Sequence, residues 1–231
     1  MLRTISPARD VSKDSVSIRE CFVRDLGLIE YSKAYFLQKQ CVQEVLQGHE
    51  HYLLFCEHFP VVTLGRMSHQ ENFLLSPELI KQRGVAICHV DRGGDLTLHA
   101  PGQLVIYPIL NLNDLGRDLK VYLERLQQTA VELLKDLDIS ARGISEKRGV
   151  WVGADKIASI GIGVRKWVSF HGMSINVCND LSLYSMIRPC GLDVAMTSIE
   201  KVKQAKYSVE EIKNQFLIRF QEIFNLKIIK E

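Results

Sequence analysis

Three stretches of the chain carry apolar residues at helical spacing. In "IEYSKAYFLQKQCVQEVLQG", Ala34, Leu37, Cys41, Val42 and Val45 fall on one face, and Gly48 stands where a helix would take its C-cap. In "DLKVYLERLQQTAVELLKDLDI" the period runs through Leu119, Tyr122, Leu126, Ala130, Leu133 and Leu137. In "SVEEIKNQFLIRFQEIFNL", Ser208 and Glu211 have the spacing of a capping box, and Ile212, Phe216, Phe220 and Ile223 follow on one face. Each pattern predicts an amphipathic helix laid on a larger apolar surface.

The segments between them are shorter. "HYLLFCEH", "VVTLG", "VAICHVD", "LVIYPIL", "GVWVG", "KIASIGIGV" and "WVSFHGMSINV" are rich in β-branched and aromatic residues and read as strands. With few helices between so many strands, the pattern predicts an α+β fold, a mixed or antiparallel sheet flanked by helices. No internal repeat, low-complexity segment or linker divides the chain. The expected organisation is an arm over residues 1–22 and one α+β domain over 23–231. Residues 66–78 and 139–148 are the least regular, and the part from about residue 180 is expected to lie against the domain as a small lobe.

Composition narrows the class of function. The chain has 231 residues, and its 46% apolar content suffices for a sizeable core. A net charge of +2 without a dense basic run argues against nucleic acid, and leaves a weakly basic surface suited to acidic protein partners. No run of 18 apolar residues is present, so no membrane-spanning helix is expected. The six cysteines, Cys21, Cys41, Cys56, Cys88, Cys178 and Cys190, are scattered and form no CxxC pair. Cys88-His89 is the closest Cys/His pair, but neighbours on a strand point to opposite faces, so no metal site is expected. The reading is of reduced thiols in a reducing compartment. The first twenty residues have Arg and Ser but also Asp10, Asp14 and Glu20, and lack an apolar core. They read as an arm on a cytoplasmic protein rather than a targeting sequence.

Candidate chemistry lies in four places. "DRGGDLTLHAPGQLVIYP" joins the flexible Gly93 and Gly94 to Arg92, Asp95 and His99, which fits either a ligand site or a hairpin with a surface histidine. In "GVWVGADKIASIGIGV", strand alternation puts Lys156 on the face of Ala158, Ile160 and Ile162. A lysine there is either functional or snorkels to water. His171 and Gly172 interrupt an apolar strand, as a bulge or a close approach would. In "RPCGL", Cys190 stands between the rigid Pro189 and the permissive Gly191, either aimed at something or simply buried. If Lys156 and Cys190 met, the ammonium would favour a thiolate able to take up an acyl group. Nearby glycine-rich backbone could offer N–H groups to the oxyanion.

Taken together, "PVVTLGR", "DRGGDLTLHAPGQLVIYP", "GVWVGADKIASIGIGV", "FHGMSINV" and "PCGLDVAMTSI", in this order, resemble the lipoyl(octanoyl) transferases. The match runs from about "RDLGLIEYSKAY" to "VAMTSIEKV". The resemblance implies the fold of the biotin and lipoate protein ligase catalytic domains. It implies octanoyl transfer in lipoate synthesis, from octanoyl-acyl carrier protein to a lysine of lipoyl domains of 2-oxoacid dehydrogenases and glycine cleavage protein. It puts the acyl-thioester nucleophile on Cys190 and its partner on Lys156. It puts substrate contacts on Arg92, Gly93, Gly94, Asp95, Leu96, Thr97, Leu98 and His99, on Ser159, Ile160 and Gly161, and on Gly172, Met173 and Ser174. No ATP, metal, nucleic acid or membrane is implied, and a monomer is expected. Two departures stand out: Ala100 where the family has Gly, which puts the turn's backbone angle in question, and Asp95 where many relatives have Gln. An ATP-dependent lipoate ligase of the same fold and a non-catalytic acyl- or lipoyl-domain-binding module are the alternatives.

Overall fold

Continuous apolar runs mark strands that are covered on both faces. His51–His58 and Gln103–Ile109 are such runs, buried along almost their whole length. The computed structural model describes residues 19–144, 148–191 and 194–230, and the side chain of Cys190 lies outside the described residues. The chain runs β1 (Arg19–Ile29), α1 (Tyr31–Leu46), β2 (His51–His58) and β3 (Val61–Leu64). It continues through α2 (Pro77–Gln82), β4 (Ala86–His89), β5 (Leu96–His99) and β6 (Gln103–Ile109). Then come α3 (Leu119–Asp136), β7 (Arg142–Gly143), β8 (Val150–Val152), β9 (Asp155–Arg165) and β10 (Val168–Asn176). It ends with α4 (Ile199–Lys203), α5 (Val209–Phe224) and β11 (Leu226–Lys230).

The sheet is mixed, as its pattern predicts. Eight strands lie in the order β11-β1-β2-β6-β10-β9-β8-β7, and β1 runs parallel to both β11 and β2. A three-stranded sheet, β4-β3-β5, sits beside it. Alternation along β2 sorts the main cores. Leu53 and Phe55 face α3 and α5, whereas Tyr52, Leu54 and Cys56 face α1. Among the described residues, no helix is long and apolar enough to cross a membrane.

Local signals act where expected. α1 ends just before Gly48, at φ +95°, and Ser208 caps α5 by accepting the Glu211 N–H. Three details differ. Leu119 is exposed, because it stands in the first turn of α3, ahead of the buried face. β1 takes in residues 19–22, read as arm; residues 1–18 lie outside the described residues. The part after residue 180 divides. Tyr184, Met186, Ile187 and Met196 cover the small sheet, while α5 joins the main core through Phe216, Phe220 and Phe224.

Candidate active site

Period-two alternation along β5 decides which of its residues reach the central cavity. Leu96 and Leu98 turn into the small-sheet core. Thr97 and His99 point the other way and line a cavity walled by β6, β9 and β10. Tyr31, Arg92, Gly94, Val105, Tyr107, Ser159, Ile160, Gly161, His171, Gly172, Met173 and Ser174 complete it. Its enclosed space is narrow, about 40 Å³. The three substrate-contact segments therefore converge, except for four residues. Leu96 and Leu98 face away, and Gly93 ties its turn to β9 by donating to the Ile162 carbonyl at 2.8 Å. Asp95 accepts from Asn72 Nδ2 and from the N–H groups of His69 and Leu96, so it pins the 66–78 segment.

Close backbone approaches explain the glycines. A Cβ on Gly161 would lie 3.0 Å from both Arg92 Cδ and the Gly93 carbonyl oxygen. One on Gly172 would lie 2.3 Å from the Ile106 carbonyl oxygen, so the neighbouring strand β6 itself needs that glycine. Ala100 meets no such difficulty: its φ is not positive, and it is buried in the small-sheet core. Arg92 is a buried cation in the cavity wall, donating to the Thr63 carbonyl at 2.7 Å and to Thr63 Oγ1 at 2.8 Å. Thr97 Oγ1 and Ser159 Oγ are buried there without a hydrogen-bond partner among the described residues, and so are open to a polar ligand atom.

Three buried histidines gather at the cavity, each with its own hydrogen pattern. Gln103 donates its amide hydrogens to Asn176 Oδ1 and Tyr184, leaving Oε1 to accept from His99 Nδ1 at 2.7 Å. Burial first, then the neighbouring His58, brings His99 down to about 3. His58 Nδ1 donates to the Ile29 carbonyl and Nε2 accepts from the Tyr107 hydroxyl; burial brings His58 down to about 4. His171, at φ +54°, stands beside Asp91 with 2.8 Å between Nε2 and Oδ1. Burial lowers its pKa, and the Asp91 bond opposes that. Tyr31, His58, Asp91 and Tyr107 were not picked out as site residues, since nothing local marks them; long-range packing assembles them.

Lys156 is fully buried, which leaves no room for the snorkelling alternative. Its Nζ lies 5.6 Å from the centre of the Trp151 ring. It is outside the cavity lining, about 10 Å along β9 from Ser159 at the usual strand rise. Its backbone N–H donates to the Ala195 carbonyl and its carbonyl accepts from Thr197, each at 2.9 Å. Residues 195–197 follow shortly after Cys190. Pro189–Gly191 is a single 3-10 turn packed against β5. Gly191 takes φ +66°, and a Cβ there would lie 3.0 Å from Asp95 Oδ2 and 3.1 Å from Asn72 Nδ2. Ahead of the turn, the Arg188 N–H donates to the Asn72 carbonyl at 2.7 Å, and the side chain of Cys190 lies outside the described residues.

Comparison with known proteins adds identity. Residues 30–221 match the family model of the lipoyl protein ligase A/B catalytic domain. The chain is 44% identical over 206 residues to the octanoyltransferase of Citrifermentans bemidjiense, covering 89% of this chain and 98% of that protein. Its fold is similar to the bipartite lipoate protein ligase of Thermoplasma acidophilum, with TM-score 0.75 and 16% identity over 93% of this chain and 86% of that one. It is also similar to the biotin protein ligase of Aquifex aeolicus, with TM-score 0.51 and 12% identity over 90% and 70%.

Proposed function

The chain belongs to the lipoyl protein ligase A/B catalytic-domain family and is an acyltransferase related to the octanoyltransferases, and from that premise we propose that Cys190 carries an octanoyl group from octanoyl-acyl carrier protein to a lysine of a lipoyl domain. The observation that carries this reading is the clamp between Lys156 and residues 195–197. It joins a buried lysine to the chain that leaves Cys190.

In the first half-reaction the Cys190 thiolate attacks the thioester carbonyl, and the carrier leaves as a thiol. In the second, the acceptor amine attacks the Cys190 thioester and forms the amide. Lys156 favours the thiolate by charge and takes a proton from the incoming amine. Because a thioester is already activated, the transfer proceeds without ATP. Arg92 and the unpartnered hydroxyls of Thr97 and Ser159 offer donors to the acyl carbonyl. At about 0.8 kcal/mol per buried CH₂, each carbon of the chain is worth roughly fourfold in affinity. The acceptor is a lipoyl domain of a 2-oxoacid dehydrogenase or of glycine cleavage protein.

The test is intact-mass analysis after incubation with octanoyl-acyl carrier protein and no ATP. We expect one added octanoyl mass, labile to hydroxylamine and absent in Cys190→Ala. Transfer to a lipoyl domain without that adduct would overturn the covalent route. Transfer from free acid only when ATP is supplied would make the chain a ligase.

A further inference from the structure

Resting on that reading, we infer that Tyr31, His171 and Asp91 act together as a proton acceptor in the second half-reaction. Proton balance calls for one. The carrier thiol leaves with the single proton that the Cys190–Lys156 pair held. The acceptor lysine, with an ordinary pKa near 10.4, arrives as an ammonium. As the C–N bond forms and the C–S bond breaks, that ammonium loses two protons on the way to the amide. One restores the Cys190–Lys156 pair, and the other needs a second acceptor.

Geometry supplies it. Asp91 accepts from the Tyr35 hydroxyl, Lys39 Nζ and His171 Nε2, each at 2.8 Å. A carboxylate only accepts, so His171 Nε2 carries the hydrogen and Nδ1 holds a lone pair. The Tyr31 hydroxyl, 3.3 Å away, donates to it. Tyr31 and His171 both line the cavity. A proton reaching the Tyr31 oxygen therefore drives the Tyr31 hydrogen onto His171 Nδ1. The resulting imidazolium sits against the Asp91 carboxylate, the arrangement that makes histidine a base in hydroxyl–His–Asp sites. Once product has left, Tyr31 gives the hydrogen it received to water and takes back the one on Nδ1, which discharges the imidazolium and resets both side chains.

The other cavity histidines are not placed for this. His99 Nδ1 is bonded to Gln103 and His58 Nδ1 to the Ile29 carbonyl, and neither has a carboxylate partner for an imidazolium among the described residues. His171 is also the one held in a left-handed backbone conformation, with its N–H fixed by Gln38 Oε1 at 2.8 Å. Strain of this kind persists where the surroundings impose it. Around His171 the titratable and charged groups are Tyr31, Tyr35 and Lys39 from α1, Asp91 and Arg92 before β5, His99 from β5 and Tyr107 from β6. Asp91 is the carboxylate among them.

The experiment separates the two half-reactions by single-turnover mass spectrometry, in wild type, Tyr31→Phe and Asp91→Asn. Acylation moves no net proton, so Tyr31→Phe should slow it far less than it slows discharge. Its discharge to a lipoyl domain should slow by about 100-fold, the scale of a lost acid–base group. That discharge should climb with pH from 7 to 9 more steeply than in wild type and be partly rescued by added imidazole. Asp91→Asn should show the same split, less strongly. Equal slowing of both half-reactions, or discharge at the wild-type rate in Tyr31→Phe, would overturn the relay alone. A wild type that never forms octanoyl-enzyme would overturn the underlying reading and the relay with it.

Discussion

Gly149 governs where the Lys156 side chain can lie. A Cβ at that position would come within 2.5 Å of Lys156 Cε and of the Ala158 carbonyl oxygen, and the glycine stands at φ +140°. Gly149→Ala is therefore expected to displace the ammonium and to strain the backbone by about 1–3 kcal/mol. Misplacement of a catalytic group by an ångström can cost about 100-fold. The expected result is octanoyl transfer reduced at least tenfold in protein that is still folded at 25 °C, with slower alkylation of Cys190 near neutral pH. Transfer at the wild-type rate would remove Lys156 from the mechanism proposed above. That Lys156 faces the core was legible in the alternation of β9. The part played by Gly149 was not, because the contact depends on the bulge between β8 and β9 and on a side chain seven residues away.

At the scale of elements, α5 shows what sequence pattern conveys and what it leaves out. The capping serine and the spacing of Ile212, Phe216 and Phe220 mark the helix correctly. They do not say which surface receives it. Phe220 stacks between Phe216 and Phe224, with ring centroids 5.9 and 4.4 Å away, and Phe216 meets Phe55 of β2 edge-on. α5 is thus part of the main core. Phe220→Ala should cost about 3–5 kcal/mol, and urea unfolding should remain one transition, with circular dichroism and tryptophan fluorescence coinciding. Two separated transitions would restore the idea of a C-terminal lobe. β1 illustrates the opposite case. Along its length only Cys21 and Val23 are buried, so its apolar signal is too short to fix where it begins. Its partner β11 lies at the far end of the chain, and parallel pairing over that distance leaves no local trace. β5 was legible as part of a glycine-rich motif, yet its alternation alone separates Thr97 and His99 from Leu96 and Leu98.

Across the whole molecule, the buried histidines set a limit on acid tolerance. The cavity motifs could be read in order along the chain, but the gathering of His58, His99 and His171 around Tyr31 and Tyr107 is a product of the fold. Burial brings His51 and His58 down to about 4 and His99 to about 3, from an ordinary 6.5. In the unfolded chain these rings take up protons as pH falls through 6.5, while the folded protein keeps them neutral until about pH 4. The unfolded state binds more protons in that window, so stability is fully present above pH 6.5 and is lost as pH falls toward 4. Each ring contributes a slope of up to about 1.4 kcal/mol per pH unit. Together the three remove roughly 4–6 kcal/mol between pH 6.5 and 5, a large share of the 5–15 kcal/mol typical of a folded domain. The depressed carboxyl of Asp91, held by His171, Lys39 and Tyr35, adds its own loss only at lower pH. Urea unfolding at pH 7, 6 and 5 should show this decline before the carboxylates titrate. A free energy that stays flat from pH 7 to 5 would contradict it. His51 is remote from the cavity chemistry, and its Nε2 is buried without a hydrogen-bond partner among the described residues. His51→Gln should therefore reduce the slope by about a third, and both half-reactions should keep their wild-type rates at pH 7.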